Sequence, residues 1–147
     1  MNIKNNLIRV SGAIVFKDQR GKRSFLLVKQ GNEDKWEIPK VTARKGESSV
    51  RAAIRMIGEL AGINARILEE AGRGSGTATI NGRTIPQRLY YYLMVQRAAS
   101  EVIGFEKYEW LDFERAYRSL SLKREKDMLR QAKYILKKWE KEKPKSL

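Results

Sequence analysis

The sequence predicts an α/β fold, an α/β/α sandwich on a mixed β-sheet. Three observations point there. Apolar, β-branched runs precede, surround and follow one central amphipathic segment. That segment carries helix start and stop residues. A second, longer amphipathic segment comes near the end of the chain.

In chain order, Ile8–Phe16 (IRVSGAIVF) is a strand rich in β-branched residues, Asp18–Lys22 a turn, and Ser24–Gln30 its antiparallel partner. A polar loop, Gly31–Lys35, leads to a short strand at Trp36–Ile38. Pro39 ends it because proline cannot donate to a ladder. The central helix starts near Ser48 or Ser49, whose hydroxyls can accept from the first-turn amides, and stops at Gly62, suited to a left-handed cap. Val50, Ala53, Ile54, Ile57 and Ala61 recur at helical spacing as its expected buried stripe.

Asn64–Arg73 and Gly76–Ile80 are expected strands, and Asn81-Gly82 is a strong hairpin signal. Thr84–Gln96 continues that hairpin, with Pro86 marking a bulge or edge and Leu89–Val95 a buried strand. Ala98–Gly104 is a loop, Lys107–Leu111 a strand, and Phe113–Leu120 a short helix. Tyr108 and Trp110 share a strand face, and Trp110 is expected in the core. The final helix, Leu122–Glu142, has Leu122, Leu129, Ala132, Ile135, Leu136 and Trp139 on one face. Lysines and arginines occupy the others, and Pro144 ends it. No repeat or linker interrupts the chain, so one domain over 1–147 is expected, with its basic helix at about 122–143.

The 147 residues include neither cysteine nor histidine. This excludes thiol catalysis, Cys/His zinc sites and a histidine general base. With no apolar run of signal-peptide or membrane-spanning length, a cytoplasmic protein without membrane attachment is expected. Charge is the dominant compositional feature: 31 basic against 17 acidic residues, net +14. A small domain needs a net charge of only about 2–8 for solubility. The surplus points to a polyanionic partner, nucleic acid ahead of acidic lipid.

From Trp36 to Ile63 the chain reads WEIPKVTARKGESSVRAAIRMIGELAGI. With "VSGAIVF", "FLLVKQ" and the closing "YEWLDFERAYRSL" in the same order, it resembles a Nudix domain. The family's box reads G-x5-E-x7-R-E-U-x-E-E-x-G-U, with U a bulky apolar residue. The "WEIPK" and "YEWL" pieces are most similar to the branch that hydrolyses diadenosine tetraphosphate and capped nucleotides. The ungapped match puts Glu47, Arg55, Ile57, Glu59 and Gly62 on box positions. It puts Val41, Met56 and Leu60 where the box has a glycine and two glutamates.

The resemblance implies that active members hold magnesium with carboxylates along the box helix. At those positions this chain has Met56, Glu59 and Leu60, and neither a thioether nor an alkyl group ligates magnesium. If the chain hydrolyses nucleotides, Glu59 and Glu47 are its candidate ligands or base and magnesium its cofactor; otherwise no cofactor is expected. Arg55, four residues before Glu59, is expected to pair with it as a structural residue beside Gly62.

Lys40, Arg44, Lys45 and Arg51 surround the expected metal position and can meet phosphates directly. Tyr90 and Tyr92, on one strand face near Arg88 and Arg97, are candidates to stack on a base. Lys123, Arg130 and Lys137 offer a further basic surface on the last helix. The favoured expectation is a catalytically degenerate Nudix-fold domain that binds nucleic acid, RNA favoured, or nucleotide phosphates, within a larger ribonucleoprotein. Two alternatives stay open: a divergent magnesium-dependent hydrolase of nucleoside polyphosphates or capped nucleotides, and a nucleotide-sensing or protein-assembly module using Met56 and Leu60. Oligomeric state is left open.

Overall fold

The computed structural model describes residues 7–30, 34–62, 64–98 and 104–142, without the side chains of Leu60, Ala61 and Ala98. The elements run β1 (Ile8–Gln19), β2 (Lys22–Lys29), β3 (Lys40–Thr42), α1 (Ser49–Ala61), β4 (Asn64–Ile80), β5 (Arg83–Ala98), β6 (Lys107–Leu111), α2 (Phe113–Ser119) and α3 (Lys123–Glu142). The sheet order is β4-β5-β1-β2-β6, with β3 pairing β1 off that path. β1 and β5 are parallel and the other pairs antiparallel, so the sheet is mixed as expected.

β1 is the hub. One edge pairs with β5 from Ile8 to Phe16, while the other takes β3 at Val10–Gly12 and β2 at Phe16–Gln19. Its side chains alternate between two cores, since strand residues face opposite sides in turn. Ile14 and Phe16 join Leu27, Tyr91, Leu93, Leu129 and Leu136 beneath α2 and α3. Ala13 and Val15 join Leu26, Val28, Met56, Ile57, Tyr92 and Met94 beneath α1. Strands covered on both faces are apolar nearly throughout, which explains the imperfect alternation of IRVSGAIVF. Burying each large aliphatic side chain contributes roughly 1.5–3 kcal/mol.

The helix caps match expectation. The Ser48 hydroxyl accepts from the Arg51 amide, and Gly62 sits at φ 59°, ψ 22°. Asn81 and Gly82 both have positive φ, 52° and 76°, as a tight hairpin turn requires. Pro86 pairs regularly with Thr77; the register shifts of this hairpin lie nearer its base, between Asn64 and Gly72. β1 begins at Ile8, opposite Gln87, so Pro86 sits just beyond the β1 ladder, where its missing N–H costs no bond to that strand.

Four expectations need correction. The strand placed at Trp36–Ile38 lies instead at Lys40–Thr42, because β1 offers its free ladder there; Trp36 and Glu37 make only isolated bridges. Asn64–Arg73 and Gly76–Ile80 form one strand, bent by those register shifts. On α1 the buried residues are Ala52, Ala53, Met56 and Ile57, while Val50 and Ile54 are 39% and 48% exposed. The packed face is therefore turned by about a quarter of a turn from the expected stripe. Leu122, just before α3, and Trp139 on it are exposed, and Glu125 is buried in the stripe. The expected loop at Ala98–Gly104 and the end at Pro144 fall largely or wholly outside the described residues. Among the described residues, no helix is long and apolar enough to cross a membrane.

Candidate functional site

The loop between β3 and α1 is held by Glu47. Its Oε1 accepts from the Arg44 amide at 2.9 Å and from Arg55 Nη2 at 2.9 Å, and its Oε2 accepts from Arg55 Nε at 2.8 Å. Gly46, at φ 78°, makes the turn that brings Glu47 back over Arg44. The Arg55 hydrogen bonds, with the Arg44 amide, hold the Glu47 carboxyl down to about 2. The guanidinium of Arg55 was expected on Glu59 but pairs with Glu47 and also donates to the Thr42 carbonyl at 3.3 Å. The bidentate fork reaches back across the loop, and Glu59 acts on Arg55 only through space.

Glu59 is exposed on α1. Met56, one turn earlier, is fully buried and packs with Tyr92, Met94 and Phe105. The side chain of Leu60 lies outside the described residues. A magnesium site needs several oxygen ligands. Among the described residues no group of three or more acidic side chains comes together to hold a metal ion. Glu47, the other expected ligand, has both oxygens engaged by Arg55 and the Arg44 amide. Among the described residues, the donor set does not fit a magnesium centre.

Lys40 and Tyr92, expected at phosphate and base, turn inward. The Lys40 ammonium donates to Glu125 Oε2 at 2.6 Å and the Ile38 carbonyl at 3.0 Å, and pairs with Glu37 at 2.8 Å. Glu125, 0% exposed, also accepts from Tyr91 Oη at 2.9 Å and from the Ile38 amide at 2.9 Å. Burial, reinforced by the Glu125 charge, raises the Tyr91 phenol well above its ordinary value, so it remains a donor. Tyr92 is 5% exposed and shares a hydrogen bond with Ser49 Oγ. Ser11 Oγ donates to the Ser49 carbonyl at 2.7 Å, fixing the start of α1 onto β1.

The remaining cations divide between the two faces of the sheet. Arg44, Lys45 and Arg51 are exposed around the start of α1. Arg88 is exposed on the same side of the sheet, beside Arg9 in register on β1, a residue the sequence reading missed. Tyr90 is half-buried there, with the Arg73 guanidinium 5.0 Å from its ring centroid; Arg73 also pairs with Glu70 at 3.1 Å. Lys123, Arg130 and Lys137 lie on α3, on the opposite face. Lys123 pairs with Asp127 at 3.4 Å, and Arg130 bonds the Tyr117 hydroxyl. Trp110 packs partly buried against the α1-side core with Lys17 4.3 Å from its ring centroid, whereas Tyr108 is exposed.

A mixed sheet with a capped helix on one face and two helices on the other is an arrangement this chain shares with solved structures. The Caenorhabditis elegans (C. elegans) Ap4A hydrolase binary complex superimposes at TM-score 0.74 with 22% identity, covering 89% of this chain and 98% of that one. The MutT protein of Bacillus halodurans gives 0.67 with 19% identity over 84% and 80%. The NUDIX domain of Shewanella oneidensis NrtR, complexed with ADP ribose, gives 0.64 with 16% identity over 88% of each. A search of curated proteins finds no match. The NUDIX domain model matches residues 7–136, and the chain belongs to that family.

Proposed function

We propose that this Nudix domain has given up metal-dependent hydrolysis and binds nucleic acid, RNA ahead of DNA, through basic surface around the start of α1. The observation that carries the first half is Met56. It occupies a box position where the family pattern has a glutamate, and its side chain is fully buried in the α1-side core. A thioether there supplies no ligand for magnesium. Glu47, locked on Arg55, is a loop staple in this reading.

Charge supports the second half. From Ala71 to Ser100 the chain has no acidic residue but carries Arg73, Arg83, Arg88 and Arg97. Of these, Arg73 and Arg88 share the α1 side of the sheet with Arg9, Arg44, Lys45 and Arg51, and cations so placed can meet phosphates without a bridging metal. Lys40 and Tyr92 serve the fold instead, one in the Glu125 network and the other on Ser49. The buried position of Met56 argues against the assembly role through that residue.

The test pairs a binding titration with a turnover assay. Affinity for RNA should fall steeply with salt, and Arg44→Gln or Arg88→Gln should each reduce the log–log slope by about 0.7–0.9. Diadenosine tetraphosphate and nucleoside triphosphates with magnesium should not turn over at high protein concentration. Binding indifferent to salt would sink the nucleic-acid reading. Magnesium-dependent nucleotide release that disappears in Glu59→Gln would reinstate the hydrolase.

A further inference from the structure

On the sheet face opposite the box helix, α2 and α3 enclose a groove of about 420 Å3, lined by Phe113, Tyr117, Arg130, Lys133, Tyr134 and Lys137, with Glu114 its acidic lining residue. We propose that this groove binds single-stranded nucleic acid by stacking and charge together. The proposal rests on the nucleic-acid reading above and gives it a second contact surface.

The local sequence builds the groove. Asp112 caps α2 by accepting from the Arg115 amide at 2.8 Å, which sets Phe113 and Tyr117 one turn apart on the same side. Their rings stack at 5.8 Å and 25°. Across the groove, Arg130, Lys133 and Lys137 recur at three- and four-residue spacing on α3. Lys133 Nζ lies 4.2 Å from the Phe113 ring centroid, and the Arg130 guanidinium lies 5.2 Å from that of Tyr117. Tyr134 is 57% exposed, with Lys138 5.8 Å from its ring centroid.

An amphipathic helix needs only its inner stripe for packing, and Leu129, Ala132, Ile135 and Leu136 supply it. Tyr134 lies outside that stripe. An exposed ring flanked by cations fits an unpaired base, whose face stacks on the ring while its phosphates meet the lysines. A duplex has its bases already stacked and offers the groove only its backbone. Single strands are therefore the preferred occupant.

The full chain is titrated with fluorescein-labelled oligouridine and with duplex RNA. Tyr134→Ala should weaken oligouridine binding about tenfold at unchanged salt slope, because stacking carries no counterion release. Lys133→Gln and Lys137→Gln should each lower the slope by about 0.7, and ultraviolet cross-links should fall within residues 113–137. If Tyr134→Ala binds oligouridine as tightly as the unaltered protein while Arg88→Gln weakens it, the groove is overturned and the α1-side reading stands. Absence of binding to either RNA overturns both.

Discussion

Arg55 and Glu47 are joined by two parallel hydrogen bonds, Nε to Oε2 at 2.8 Å and Nη2 to Oε1 at 2.9 Å. The pair ties α1 to the loop before it, and it sets an acid limit on that tie. The folded-state carboxyl value of about 2 lies below the ordinary 4.5, so the pair contributes stability above pH 4.5 and loses it as pH falls toward 2. Urea midpoints measured across that window should fall for the unaltered protein. Glu47→Gln should start from a lower midpoint at neutral pH and fall less over the same window. Parallel curves would remove Glu47 as the titrating group.

Met56 is fully buried between α1 and the sheet. Met56→Leu conserves volume and should cost less than about 1.5 kcal/mol. Met56→Ala opens a cavity and should cost about 2–5 kcal/mol. Met56→Glu, which restores the box residue, should destabilise by at least as much as Met56→Ala, because its carboxyl would enter the apolar cluster of Tyr92, Met94 and Phe105. Urea denaturation of the three variants ranks them. A stable Met56→Glu protein would show that the helix can turn this position outward.

What the sequence revealed depended on how local the determining interaction was. Ser48, Gly62 and Asn81-Gly82 act on their own neighbours, so the α1 caps and the hairpin turn were legible. The strand at Lys40–Thr42 was not, because it forms where β1 has an open ladder rather than where β-branched residues cluster. Val50 and Ile54 match the helical period as well as Ala52 and Met56 do; only the sheet beneath decides which face packs. The same holds for the site. Charge identified the basic loop, but Lys40 and Tyr92 were claimed by Glu125 and Ser49, partners distant in sequence. Glu125 did leave a signal: it shares the helical stripe of Leu129, Ala132 and Leu136.

Glu125 and Lys40 form the ion pair that joins α3 to β3 at 2.6 Å, with the carboxylate fully buried. Glu125→Ala leaves the Tyr91 hydroxyl and the Ile38 amide without this acceptor and the Lys40 ammonium with only Glu37 and the Ile38 carbonyl, and should cost about 3–5 kcal/mol. Lys40→Met leaves the carboxylate with two neutral donors and should cost less. Glu125→Ala combined with Lys40→Met removes both charges, so the double variant should be more stable than the sum of its single changes by about 0.5–3 kcal/mol. Denaturant midpoints and slopes for the four proteins of the cycle measure this coupling. Strict additivity would mean that the pair adds nothing beyond its separate contacts.

Gly12 faces the Tyr91 ring across the parallel β1–β5 pair. A Cβ there would lie 2.6 Å from Tyr91 Cδ1 and 2.7 Å from Cε1. The ring cannot yield easily, since it is fully buried and its hydroxyl is anchored on Glu125. Gly12→Ala should therefore cost about 1–3 kcal/mol, despite the entropy that alanine removes from the unfolded chain. Two backgrounds separate the clash from any general weakness of the strand. In Tyr91→Phe the ring carbons stay in place and the cost of Gly12→Ala should persist. In Tyr91→Ala the ring is gone, and Gly12→Ala should become nearly neutral. Equal costs in all three backgrounds, measured by urea denaturation, would trace the glycine to backbone conformation instead of this contact.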